Sequence, residues 1–288
     1  MKILRVEEII YGVDDIPAAT KFYEDWGLEL TSRGAQGTDF ALPSGQIIRV
    51  RGAADSTLPA TAESGSTLRE TIWGVDNQAS LDEIGAVLGR DREVTRGADG
   101  ILHARDAHGF AIGFQIAAPK VIPEPPAPSR RNRPFEAARQ VRPRRLGHVV
   151  YFVTAGKQIE GSDFYTERLG FRVSDRAKDM GDFLRAPGSC DHHNLGLFWF
   201  QDKARFGHVA FEVGSFDEVM IGGKHMQRAG WKASNKPGRH IIGSNIFWNF
   251  QNPAGGNSEY FYDMDIMDDD WKPRIWENFP GLAHWVTE

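Results

Sequence analysis

Apolar and polar positions alternate along this chain in a pattern that recurs. Residues 6–13 (VEEIIYGV) read as a buried β-strand, and the amphipathic stretch after them ends in FYEDWGL at 22–28, where Gly27 stands as a helix stop. Residues 148–153 (HVVYFV) followed by 164–171 (FYTERLGF) repeat that sentence. Each copy then restarts once. Residues 68–75 (LRETIWGV) parallel 206–213 (FGHVAFEV), and a helical stretch at 80–88 parallels one at 216–229. The chain therefore reads as four βαβββ units, two in each half, in an α+β fold.

Between the halves the run 119–128 (PKVIPEPPAP) suits neither a helix interior nor a central strand, because proline fixes φ and lacks an amide donor. The expected division is a first domain over 1–118, a Pro/Arg-rich linker over 119–144, a second domain over 145–265 and a Trp-rich tail over 266–288. The tail carries Trp271, Trp276 and Trp285 with His284. So many indoles imply packing onto something, either as a lid or as a subunit contact.

Composition narrows the function classes. With 288 residues, 41% hydrophobic and 25% charged, the chain has the make-up of a soluble globular protein with a sizeable core. A net charge of −5 gives no general attraction to nucleic acid or to an anionic membrane. One local exception is the cluster Arg130, Arg131, Arg133, Arg139, Arg142, Arg144 and Arg145, read as a connector lying on acidic surface of its own protein or of a neighbouring subunit. No run approaches the length of a membrane span, and residues 1–8 lack the apolar stretch of a signal peptide, so a cytoplasmic protein is expected. The single cysteine, Cys190, excludes an internal disulfide and a cysteine-based zinc cluster.

Against this background His148, His208 and Glu259 stand out. Each falls within a strand-like run, and a buried glutamate is rare unless paired or metal-bound. Two imidazoles and one carboxylate supply three ligands on one face of a metal and leave other positions open. The matching positions in the first half are Glu8, Glu70 and Gly113. An intact triad is thus expected in the second half alone, and the first half reads as a structural copy without a metal.

These residues resemble the vicinal oxygen chelate superfamily, and within it the two-domain type I extradiol catechol dioxygenases, over about residues 3 to 265. The resemblance implies two glyoxalase/bleomycin-resistance-like domains, each an open β-cup, with Fe(II) held by His148, His208 and Glu259; Mn(II) has compatible ligand preferences. It implies His193 as the proton-handling residue and His240 as a hydrogen-bond partner of a substrate hydroxyl, with Asn249 standing where many members carry a tyrosine. Gly243 replaces an aspartate found in some members. His192, a neighbour of His193, is expected on the opposite side of a strand. Phe183, Arg185, His192, Trp248 and Tyr262 are the further candidates for contact with substrate.

The function so implied is opening of a catechol-type aromatic ring, bicyclic or substituted, with O2 in aromatic catabolism, by a homo-oligomer. Two other readings share the same residues: another metal-dependent enzyme of the superfamily (an isomerase, epimerase or lyase), and a ligand-binding resistance protein.

Overall fold

The computed structural model describes residues 1–123, 132 and 140–288, apart from the side chains of Phe200 and Gln201. Arg130, Arg131, Arg133 and Arg139 of the basic cluster lie outside the described residues.

The first half contains β1 (Ile3–Val13), α1 (Ile16–Trp26), β2 (Glu29–Gly34), β3 (Gly37–Ala41) and β4 (Ile47–Gly52), then β5 (Thr67–Val75), α2 (Gln78–Leu88), β6 (Thr95–Arg96), β7 (Leu102–Arg105) and β8 (Ala111–Ile116). The second half runs β9 (Arg145–Thr154), α3 (Gln158–Asp163) continuing as a π-helical turn over Phe164–Arg168, β10 (Arg172–Ala177), β11 (Gly181–Arg185) and β12 (Leu195–Gln201). It then restarts with β13 (Arg205–Glu212), α4 (Phe216–Arg228), β14 (Gly238–His240), β15 (Ile246–Gln251) and β16 (Asn257–Tyr262). This is the fourfold βαβββ order expected from the repeat.

Local chemistry sets the helix ends. Asp15 caps α1 by accepting from the Ala18 amide, and Gly27 closes it in the left-handed region at φ 95°. Ser215 caps α4, where Glu218 also accepts from the Gly214 amide.

Among the described residues the strands form two sheets. The first has the order β2-β3-β4-β1-β5-β8-β7-β6. The second repeats it as β10-β11-β12-β9-β13-β16-β15-β14 and gains one strand at each end from the tail, β17 (Arg274–Trp276) beside β10 and β18 (Ala283–Val286) beside β14. The tail is therefore part of the second sheet, a pairing across about a hundred residues that no local pattern announces.

The two halves share one apolar core, which contains Trp26, Phe40, Phe211 and Tyr260. Trp26 of α1 stacks on Tyr260 of β16, and the Tyr260 hydroxyl donates to the Trp26 carbonyl at 2.7 Å. Gln46 joins the first strands of the halves by donating to the carbonyls of Val6 and Leu146 and accepting from the Leu146 amide.

Register verifies the repeat at the level of single residues. His148 lies opposite Ala210 between β9 and β13, and Glu259 lies opposite the same Ala210 between β13 and β16. In the first half Glu8 and Gly113 both lie opposite Ile72. The pairs are equivalent.

Candidate metal centre

Three neighbouring strands at the middle of the second sheet carry His148, His208 and Glu259 on the face that lines the cup. Their ligand atoms all lie within 4.8 Å of one another. The two imidazole Nε2 atoms are 3.2 Å apart, and Glu259 oxygens lie 3.5 Å from His208 Nε2 and 3.9 Å from His148 Nε2. Two nitrogens bound cis to one ion at roughly 2.1 Å stand about 3 Å apart, so the imidazole pair has the separation a shared metal requires.

Electrostatics agree with that use. Burial pushes His148 well below the ordinary histidine range and lowers His208 to about 3, so both rings are neutral and offer lone pairs. Glu259 is raised to about 8 by burial, although Asn249 and Asn245 amides donate to its two oxygens at 3.0 and 3.2 Å. Without a cation the carboxylate is desolvated and uncompensated. The His148 Nδ1 atom is buried, with no hydrogen-bond partner among the described residues. Two neutral imidazoles and a charge-starved carboxylate fit a divalent cation.

The triad sits in the wall of a cavity of about 520 Å³. His193, His240, Asn249 and Phe183 also line it. His240 stacks on Phe247 with ring centroids 3.9 Å apart, and its Nδ1 donates to the Leu282 carbonyl at 2.9 Å. A carbonyl only accepts, so the His240 proton resides on Nδ1 and Nε2 is free to accept. His193 packs 4.3 Å from His148, ring to ring.

Four expected contacts are placed elsewhere. His192 is not on a strand: 191–194 form a bend, and both histidines are buried instead of facing opposite sides. His192 lies behind His193, bonded to it and to Asp175. Arg185 shares the parity of Phe183 but falls one step beyond the cavity, where its guanidinium donates to the Asp268 carbonyl at 2.8 Å. Trp248 and Tyr262 occupy the strand faces opposite Asn249 and Glu259; Trp248 turns to α4 and donates to the Asn235 carbonyl at 3.1 Å.

Other contributors were not anticipated. Asn245 follows a turn in which Gly243 and Ser244 both have positive φ, 84° and 60°, and this delivers its amide to Glu259. Met180, Phe198, Ile242, Phe279 and Leu282 supply apolar wall. Phe279 and Leu282 belong to the tail, which crosses the cup between its two edge strands. Their hydrophobic character was the only available signal, and it does not distinguish wall from core.

In the first half the equivalent positions are occupied by ion pairs. Arg49 Nε binds Glu8 at 2.6 Å, and His103 Nδ1 meets Glu70 at 2.8 Å. A Cβ on Gly113 would stand 2.4 Å from Ile72, which leaves no room for a third ligand.

Residues 145–260 match the family model described as Glyoxalase/Bleomycin resistance protein/Dioxygenase superfamily. Metapyrocatechase 2 of Cupriavidus necator is 39% identical over 129 residues, a stretch that makes up 44% of this chain and 39% of that protein. The similarity thus spans well under two thirds of that relative's length. Among solved structures, the Mn(II)-bound glyoxalase from Novosphingobium aromaticivorans matches with a TM-score of 0.77 at 22% identity, covering 97% of this chain and 89% of the other. The 2,3-dioxygenase LapB from Pseudomonas sp. KL28 matches with a TM-score of 0.76 at 20% identity, covering 96% and 98%. At such identities these two likenesses establish the fold of paired β-cups.

Proposed function

We propose, from the match of residues 145–260 to the glyoxalase, bleomycin resistance protein and dioxygenase superfamily, that the protein is an extradiol dioxygenase opening neutral, apolar-substituted or bicyclic catechols with O2. The observation that carries this reading is the convergence of His148, His208 and Glu259 on one wall of an apolar cavity also lined by His193 and His240.

His148, His208 and Glu259 would hold Fe(II), with Mn(II) as the alternative ion. When bound, the metal supplies Lewis-acid polarisation of catechol oxygens and redox chemistry toward dioxygen. The chain's own residues do the rest. His240 offers Nε2 to a substrate hydroxyl, and His193, neutral because burial lowers it well below its ordinary range, is placed to take up and return a proton beside the metal. Phe152, Met180, Phe183, Phe198, Ile242 and Leu282 pack the ring substituent and exclude water.

Charge selects the substrate class. Among the described residues no lysine or arginine lines the cavity, whereas Asp179 does. Arg205 lies with its guanidinium 4.3 Å from the Phe152 ring centroid but outside the lining. A substituent carboxylate would enter an apolar site without a counter-ion.

Among the described residues no helix is long and apolar enough to cross a membrane. The lone cysteine supports a reducing, cytoplasmic setting. Exposed Ile275, Trp285 and Val286 on the tail strands support assembly of copies of the chain.

The test is oxygen uptake and yellow ring-fission product by protein reconstituted anaerobically with Fe(II), offered catechol, 4-alkylcatechols, dihydroxybiphenyl and 3,4-dihydroxybenzoate. Cleavage of the neutral catechols is expected at a kcat/KM about a hundredfold above the carboxylated one. Absence of uptake across the panel with iron bound would overturn the activity. Turnover of another substrate without oxygen would favour the isomerase or lyase chemistry of the superfamily.

A further inference from the structure

Behind the cavity lies a chain of buried groups that metal binding does not use. Asp175 of β10 is fully buried, and both its oxygens are occupied. Oδ1 accepts from Arg274 Nε at 2.9 Å and from Trp276 Nε1 at 2.6 Å; Oδ2 accepts from Arg274 Nη2 at 2.9 Å and faces His192 Nε2 at 2.8 Å. His192 Nδ1 in turn lies 3.0 Å from His193 Nδ1. His193 borders the cavity.

Donor and acceptor accounting orients every bond in this chain. An ionised carboxylate only accepts, so the His192 proton sits on Nε2. Arg274 already balances the Asp175 charge with a two-point contact, and a second cation at fully buried His192 would have no compensation. With its proton on Nε2, His192 presents an Nδ1 lone pair to His193. His193 Nδ1 must then be the donor in the 3.0 Å contact. That leaves His193 Nε2 without a proton.

We propose that Asp175 and His192 are positioning residues that fix the tautomer of His193, so that its Nε2 meets the cavity as an acceptor, and that Arg274 and Trp276 of the tail lock this arrangement. An imidazole without such a partner divides between two tautomers, and one of them presents the wrong nitrogen. Asp175 has the properties the relay needs: burial would raise it, yet hydrogen bonds from His192, Arg274 and Trp276 outweigh burial and hold it below the ordinary carboxylate range. Gly243 leaves the histidine pair its space. A Cβ there would lie 3.2 Å from His192 Nδ1 and 3.5 Å from His193 Cε1, on a backbone at φ 84°. Register places Arg274 directly opposite Asp175 between β17 and β10, and its guanidinium also lies over the rings of Trp271 and Trp276.

The tautomer assignment is independent of the ring-cleavage reading, while its kinetic consequence rests on it. Nitrogen-15 NMR of the full chain loaded with Zn(II), which is diamagnetic, reads the protonation of each imidazole nitrogen. At pH 7 the expected pattern is a proton on His193 Nδ1 and on His192 Nε2. A proton on His193 Nε2, or a doubly protonated His192, would overturn the relay. In the iron-loaded enzyme His192→Phe is expected to lower kcat roughly tenfold or more with little change in KM, and His192→Gln to recover part of it because its carbonyl can accept the His193 proton. Equal loss in both variants would overturn the positioning role. If the unmodified enzyme consumes no oxygen, the ring-cleavage reading fails and the NMR result still decides the relay.

Discussion

Asn249 donates its side-chain amide to Glu259 at 3.0 Å, and the two residues are direct cross-strand partners on β15 and β16. The asparagine thus acts on the carboxylate and not as a substitute phenol acid. Partners of this kind orient a ligand and commonly contribute 10- to 100-fold in metal affinity. Asn249→Leu should weaken Mn(II) binding by roughly that factor, measured by calorimetric titration of metal-free protein. An unchanged Kd would remove Asn249 from the metal site.

Trp26 lies 3.6 Å from Tyr260, centroid to centroid, with ring planes 2° apart, so the first half buttresses the strand that carries Glu259. Both rings are essentially inaccessible to solvent. Replacing a buried tryptophan by alanine typically costs about 3 to 5 kcal/mol. Trp26→Ala should lower the urea midpoint accordingly, and it should also weaken Mn(II) binding through Tyr260. A destabilised variant with native metal affinity would show that the two halves are coupled in stability alone.

In the first cup, the hydrogen bond from His103 to Glu70 raises the histidine above its ordinary value, against the opposing effect of partial burial. The unfolded histidine titrates near 6.5. A raised folded value means that this pair's stabilisation is complete below about pH 6.5 and disappears as pH rises through the folded value. Glu70→Gln should flatten that part of the stability profile above about pH 6.5 while leaving metal loading intact. Urea unfolding across this range checks the first expectation, and loss of metal in the variant would contradict the second.

The module order and the triad were legible in the sequence because both rest on repetition. Helices that stop at Gly27 and Gly170 recur at fixed places, and Glu8, Glu70 and Gly113 share the strand positions of the three ligand candidates. The contacts around the triad were less legible. Alternation assigns opposite faces to His192 and His193 only within a strand, and the bend at 191–194 removes that premise. Trp248 and Tyr262 are aromatic neighbours of cup residues, but the same alternation turns them to the other face. Asp175 carried no signal at all, since its partners Arg274 and Trp276 lie about a hundred residues away.

The tail offers the most direct test of how the cavity is closed. β17 pairs with one edge of the second sheet and β18 with the other, and the segment between them contributes Phe279 and Leu282 to the cavity wall. It also supplies the carbonyl that orients His240 and the guanidinium that holds Asp175. None of its residues belongs to the triad. Removing residues 271–288 should therefore leave Mn(II) affinity within a few-fold of native, while KM for a neutral catechol rises at least roughly tenfold as two apolar walls and the His240 orientation are lost. Steady-state oxygen uptake beside metal titration separates the two quantities. Native KM in the truncated protein would mean that the tail borders the cavity without shaping what it binds.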